Sequence, residues 1–207
     1  MNTYEHKLKR QGYQYICGVD EVGIGPWAGP MAFGAVILPV KFLNFPFKDS
    51  KLLTHKKRAD IFNKLEDKII WNVAYVSSKE IDKLGLVKAK ILAFKRVILG
   101  LAQKPDIILI DGRYIFSEKS KPKIPCEFII NGDSKIKSIS AASIMAKVSR
   151  DKIMINYHKK YPQYNFKNNK GYGTYEHQEA LKNHGVCDIH RKSYKPIKKI
   201  VSQNMVS

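Results

Sequence analysis

Residues 15–38 read YICGVDEVGIGPWAGPMAFGAVIL, and the reading of this stretch decides the fold. Two apolar, β-prone runs, residues 15–20 and 31–38, flank EVGIGPWAGP, whose three glycines and two prolines make it a loop. A strand, a loop and a second strand begin a sheet. The first strand ends on two adjacent carboxylates, Asp20 and Glu21.

Outward from this pair, residues 70–76 (IWNVAYV), 106–110 (DIILI) and 127–130 (EFII) read as three further strands. Amphipathic stretches fill the gaps. Residues 54–68 open on a candidate N-cap, Thr54, and space Ile61, Leu65 and Ile69 along one face. Residues 79–103 read as one long helix, with Gly85 and Gly100 marking a bend or an end. A helix over residues 138–160 begins SISAASIMAKV, small and apolar as expected where a helix packs closely on a sheet. Strands in succession, then strands alternating with helices, predict an α/β sheet that is antiparallel first and parallel afterwards. From about residue 159 the chain becomes rich in tyrosine, lysine and histidine.

The 207 residues carry 37 Lys and Arg against 18 Asp and Glu, a net charge of +19. Hydrophobic residues make up 44%, enough for a sizeable core and too many for a disordered chain. Such a balance predicts a polyanionic partner, nucleic acid or an anionic membrane surface. No apolar run approaches the roughly 20 residues that span a bilayer, which weakens the membrane reading. The polar start, MNTYEHKLKR, lacks the apolar stretch of a secretory signal. Cys17, Cys126 and Cys187 are far apart and in no C-x-x-C arrangement. That pattern argues against a disulfide framework or a zinc site and suits reduced thiols in the cytoplasm.

Carboxylates are scarce, so their positions matter. Asp20 and Glu21, Asp111 in PDIILIDG and Asp133 in IINGDSK all sit at or near the ends of apolar runs. In open α/β sheets, sites gather at strand ends. The four acids are expected to converge into an acidic pocket suited to hard divalent cations such as Mg²⁺. Two such ions serve phosphodiester hydrolysis. Local hydrogen bonding at strand ends and turns explains the same residues. The Gly23-Ile24-Gly25 loop could bring main-chain N–H groups to phosphate or sugar, or be a tight connection only. Asp49-Ser50-Lys51 could cap the following helix or place a lysine beside phosphate. Lys147 and Asp151 are spaced for an i,i+4 ion pair, and Arg150 beside them for phosphate or for solvent. Tyr172, within KGYGT, suits stacking on a base or sugar, or packing on the core. His177 and His190 are zinc ligands in principle, without a second ligand pair to support it.

Together these segments resemble ribonuclease HII, the type 2 ribonuclease H family. The resemblance rests on Gly18-Val19-Asp20-Glu21-Val22-Gly23 with Gly25-Pro26 and Ala28-Gly29-Pro30, on Asp49-Ser50-Lys51, Asp111-Gly112 and Gly132-Asp133-Ser134. It continues through SAASIMAKVSRD (residues 140–151), GYGT (171–174) with Glu176-His177, and His190-Arg191-Lys192-Ser193-Tyr194. What it implies is an RNase H-like fold, a mixed five-stranded sheet flanked by helices. The core would span residues 1–158 and a C-terminal helical extension residues 159–207. The implied activity is endonucleolytic cleavage of RNA in RNA–DNA hybrids, and 5′ of ribonucleotides embedded in duplex DNA. It uses Mg²⁺ or Mn²⁺ and leaves 5′-phosphate and 3′-hydroxyl ends.

By the resemblance, Asp20, Glu21, Asp111 and Asp133 are the catalytic, metal-holding carboxylates. Tyr172 is the tyrosine that stacks on the deoxyribose at the RNA–DNA junction. Gly23, Ile24, Gly25, Ser50, Lys51, Lys147, Arg150 and Arg191 complete the expected substrate contacts. One departure stands out: the family's Gly-Arg-Gly is Gly23-Ile24-Gly25 here, which removes a bidentate guanidinium. The extra N-terminal domain of the type 3 relatives is not found. A monomer is expected. The tail, residues 198–207, shows no clear clamp-binding motif, and a sliding-clamp partner stays open. The rival to an enzyme is a basic nucleic-acid-binding protein that keeps the fold without catalysis.

Overall fold

The computed structural model describes residues 3–47 and 53–203. Asp49, Ser50 and Lys51 lie outside the described residues. Strands β1 (Ile16–Val22), β2 (Met31–Ile37), β3 (Ile70–Val76), β4 (Ile107–Asp111) and β5 (Cys126–Ile129) form one sheet in the order β3-β2-β1-β4-β5. β1 pairs antiparallel with β2, and β2 with β3; β1 pairs parallel with β4, and β4 with β5. The neighbours β1 and β4 therefore end at the same edge of the sheet, which brings Asp20-Glu21 and Asp111 close together.

Helices α1 (Tyr4–Arg10), α2 (His55–Leu65), α3 (Ser78–Leu84), α4 (Leu86–Leu99), α5 (Gly132–Lys135), α6 (Lys137–Lys160), α7 (Phe166–Asn169), α8 (Tyr175–His184) and α9 (Lys195–Gln203) surround it. Thr54 caps α2 as expected, its hydroxyl accepting from the Lys57 N–H at 3.3 Å. The single helix expected over residues 79–103 is two, because Gly85 takes φ +74° and ends α3 before α4 begins. α1 and α5 are too short to show in the apolar periodicity.

The strand alternation divides β1 between two layers. Cys17 and Val19 face α4, packing with Phe33, Ala35, Ala89 and Ala93. Gly18 and Asp20 face α6. There the helix lies almost on the strands: a Cβ at Gly18 would overlap the Ser138 and Ile139 backbone, and one at Gly34 the Ala142 carbonyl. The residues of α6 that meet this floor, Ser138, Ala141, Ala142 and Ala146, are small and buried. The helix also lacks a cap of its own, Ile136 having no side-chain oxygen. Glu5 of α1 supplies one, its carboxylate accepting from the Ser138 N–H at 2.9 Å and the Ser138 hydroxyl at 3.2 Å.

The C-terminal helices gather around Ala28 and Met154, burying Tyr164, Phe166, Leu181 and Ile189. They grip the loop after β1: the Gly171 carbonyl accepts from the Trp27 N–H, and the Arg191 N–H donates to the Trp27 carbonyl, both at 2.8 Å.

Gly18→Ala should lower unfolding stability by about 1–3 kcal/mol, because the new methyl must push α6 off the sheet. Denaturant titration measures it; an unchanged midpoint would show that the helix does not need this floor.

Candidate active site

Asp20, on the α6 face at the end of β1, is 6% exposed. Its Oδ1 accepts from the Glu21 N–H at 2.7 Å, and Ser143 of α6 donates its hydroxyl. Burial, followed by the charges of Asp111 and Asp133, pushes its carboxyl up to about 7. Glu21 points to the other face, where Lys90 of α4 donates to its Oε1 at 2.6 Å. Burial raises its pKa; Lys90 opposes the shift and Asp111 adds to it.

Asp111 closes β4. Asn131, in the left-handed region at φ +56°, turns the chain after β5 so that the Gly132 N–H donates to Asp111 Oδ1 at 2.6 Å. The same turn carries Asp133 into the interior, 3% exposed, near enough for Asp20 to feel its charge. Asp20, Glu21 and Asp111 line one open pocket; Asp133 is not part of its lining and acts on it through its charge on Asp20.

These donors are all carboxylate oxygens, and the burial and neighbouring negative charge that hold Asp20 at about 7 are offset by positive charge. That chemistry fits a hard divalent cation. Among the described residues, no three His, Cys, Asp or Glu side chains are grouped tightly enough to hold one ion as they stand. Each acid has a partner within the protein: Asp20 is turned onto Ser143 and a main-chain N–H, Glu21 onto Lys90, and Asp111 onto Gly132.

The rest of the pocket is formed by Val22, Gly23, Ile24, Gly25, Arg58, Ser143, Lys147 and Tyr172. Gly23 needs its φ of +84° and its missing Cβ, since a methyl there would strike the Arg150 guanidinium. Ile24 packs against the cluster around Phe33 and Phe94, while its carbonyl accepts from Arg191 Nη1 at 2.8 Å. Tyr172 is 45% exposed and faces the Gly25 edge of the loop; a Cβ on Gly25 would lie 3.7 Å from its ring. Lys147 borders the pocket and pairs with Asp151 at 2.8 Å.

Arg150 and Arg191, expected among the substrate contacts, with Arg150 facing phosphate or solvent, are interior, both 0% exposed. Arg150 Nε donates to the Pro30 carbonyl at 2.8 Å, and its Nη2 to the Lys170 carbonyl at 3.1 Å. Arg191 Nη2 donates to the carbonyls of Gly23 at 2.6 Å and Gly29 at 3.0 Å. The loop's carbonyls turn inward to these cations, which makes both arginines clamps of its shape. Sequence reasoning also missed Lys90, Arg58 and Ser143. Lys90 and Arg58 lie among many similar basic residues, and only the fold brings them to the acids; Ser143 sits inside the small-residue run that signalled helix packing.

A family model described as Ribonuclease HII matches residues 17–197. Over 189 residues the chain is 46% identical to the Ribonuclease HII of Natranaerobius thermophilus, covering 90% of this chain and 93% of that protein. Over 203 residues it is 44% identical to that of Caldicellulosiruptor bescii, covering 96% and 94%. The crystal structure of the ribonuclease H2 from Pyrococcus horikoshii OT3 superposes with a TM-score of 0.79 at 27% identity, covering 94% of this chain and 100% of that one.

The raised carboxyl of Asp20 has a consequence for stability. Between the ordinary 3.8 and about 7, the folded chain holds a proton that the unfolded chain releases. Stability therefore falls as pH rises through that window, and the penalty is complete above it. In chelator-treated protein, Asp20→Asn should melt above the wild type at about pH 8, the gap closing towards about pH 4. A gap independent of pH, followed by thermal unfolding, would show that ionised Asp20 is not its source.

Proposed function

Since the chain belongs to the ribonuclease HII family and has ribonuclease H activity, we propose that it incises duplexes 5′ of embedded ribonucleotides as well as cutting long RNA–DNA hybrids. It leaves 5′-phosphate and 3′-hydroxyl ends. The observation that carries the reading is the electrostatically coupled set Asp20, Glu21, Asp111 and Asp133 beside a glycine loop and Tyr172, in a chain of net charge +19. A protein that only bound polyanions would gain nothing from carboxylates aimed at phosphate.

Asp20, Glu21 and Asp111, together with Asp133, hold the divalent cations, Mg²⁺ or Mn²⁺. When bound, a pair of such ions supplies charge neutralisation at the scissile phosphate and acidification of the attacking water. Lys147 and Arg58, on the rim, attract the flanking phosphates. The main chain of Gly23 to Gly25 meets the ribose, where its N–H groups hydrogen-bond a 2′-hydroxyl. Ile24 suits that role despite lacking a guanidinium, because its side chain is spent on core packing and its carbonyl on Arg191, which leaves the main-chain N–H groups as what the loop offers. The Tyr172 ring covers the next sugar; its flat face gains contact with a deoxyribose and leaves no room for a hydroxyl.

Cleavage of a duplex containing one ribonucleotide, with Mg²⁺ or Mn²⁺ and with EDTA, tests the proposal directly. Asp20→Asn should lower turnover at least about 100-fold with the fold intact, several kcal/mol of transition-state stabilisation being lost. Full activity of that variant would remove Asp20 from the chemistry. Tyr172→Ala should depress single-ribonucleotide incision more than cleavage of a long hybrid; equal losses would make the ring a packing element. Hybrid affinity should fall with salt at a log–log slope of roughly −4 to −5, for about 4–6 phosphate contacts. A flat dependence measured by fluorescence anisotropy would mean that the surplus lysines serve solubility alone.

A further inference from the structure

His177 and His190 are buried at 0% and 1% exposure, and their Nε2 atoms face each other at 3.0 Å. Both ends of the pair are anchored to main chain. His177 Nδ1 lies 2.8 Å from the Tyr172 carbonyl, which can only accept, so this nitrogen carries a proton. At the other end the Cys187 N–H, which can only donate, points at His190 Nδ1 at 2.9 Å; the Cys187 carbonyl lies 3.3 Å from the same nitrogen but already accepts from the His190 N–H at 3.0 Å, so the shorter contact assigns Nδ1 a lone pair. In neutral rings the remaining assignments follow from each end separately, and they agree. His190 Nε2–H donates and His177 Nε2 accepts. The polarity runs one way: Cys187 N–H to His190, His190 to His177, His177 to the Tyr172 carbonyl.

The surroundings keep both rings neutral. Tyr164 lies 5.0 Å from His190 between ring centroids, and Phe166 lies 5.4 Å from His177. Burial, then the facing His177, brings His190 down to about 4, and burial lowers His177 as well. Every lone pair of the two rings is engaged, so the pair does not offer the zinc ligands that the sequence left open.

The relay ends at a residue that matters. The Tyr172 carbonyl also accepts from the Thr174 N–H at 2.9 Å, and the Tyr172 N–H donates to the Asn169 carbonyl at 2.9 Å. With both lone pairs of its oxygen used, the peptide plane after Tyr172 is fixed, and with it the start of a side chain that reaches from the C-terminal helices to the acidic pocket. We propose that His177 and His190 are positioning residues: a tautomer-locked strut that sets the main chain of Tyr172 and so the stance of its ring over the Gly25 edge of the pocket. This inference rests on the functional reading only for what the ring does to substrate.

The two amide analogues of histidine separate the bonds. Asn at position 177 places an N–H₂ near the Nδ1 position and keeps the bond to Tyr172. Gln at 177 places its amide near the Nε2 position, keeps a partner for His190 and drops the bond to Tyr172. His177→Gln should speed amide hydrogen exchange at Tyr172 and Thr174 and cut the preference for a single embedded ribonucleotide over a long hybrid by about tenfold. His177→Asn should hold both close to wild type. In a Tyr172→Ala background, His177→Gln should cause no further loss of preference, since its effect passes through the ring. ¹⁵N NMR of the wild type should find the proton on Nδ1 of His177 and on Nε2 of His190. The opposite tautomers, equal effects of Gln and Asn, or additive losses in the double variant would overturn the strut. A wild type that cleaves neither substrate would count against the functional reading, while the tautomers and the exchange rates would still decide for or against the strut.

Discussion

The close seat of α6 on β1 and β2 is the constraint on which the site depends. Gly18 and Gly34 have no side chain because the helix backbone occupies that space. Once residues 138–142 are fixed against that floor, the 3.6-residue turn determines everything further along. Ser143 meets Asp20, Lys147 reaches the pocket rim, Arg150 arrives beneath Gly23, and Met154 packs under Gly29. One helix thus ties the acids at the strand ends to the loop beside them. A shift of α6 by half a turn would break all of these contacts together, so the small residues of its first half concern the site as much as the core.

The loop after β1 owes its shape to two buried cations with no carboxylate ion-pair partner among the described residues. Burying a guanidinium is costly unless its donors are satisfied. Arg191 meets that demand with the main-chain carbonyls of Gly23, Ile24 and Gly29, and Arg150 meets it in part with those of Pro30 and Lys170, its Nη1 having no hydrogen-bond partner among the described residues. Burial, with the neighbouring Arg191, lowers Arg150 to about 10, which still leaves it charged near neutrality. Turning those carbonyls inward fixes the curve of a segment that would otherwise be a glycine-rich hinge. Arg191 comes from the segment after α8 and Arg150 from α6, so the C-terminal helices join the core by sharing the loop.

The electrostatics of the molecule are divided in the same way. Lysines dominate the surface, and the acids at the ends of β1 and β4 lie in a pocket where burial and mutual repulsion resist full ionisation. Lys90, Ser143 and the Gly132 N–H temper that repulsion. A phosphodiester and cations entering together would bring matched charge to both zones.

Much of this was determined by the chain read alone. Short continuous apolar, β-prone runs marked the five strands within a residue or two; β1, β2 and β4, buried along most of their length, leave few alternatives. Their order predicted the antiparallel-then-parallel sheet, and acids ending those runs named the pocket. Gly85 was legible as a break because a left-handed turn all but requires glycine. Only the tertiary structure decided the roles of the cations. Nothing in the pattern separates a lysine that meets Glu21 from its many neighbours, or an arginine that solvates carbonyls from one that meets phosphate. Burial makes that distinction, and burial is a property of the packed chain. The pairing of His177 with His190 belongs to the same class: thirteen residues apart in sequence, they share one proton pattern because α8 and the segment after it are packed around a common aromatic core.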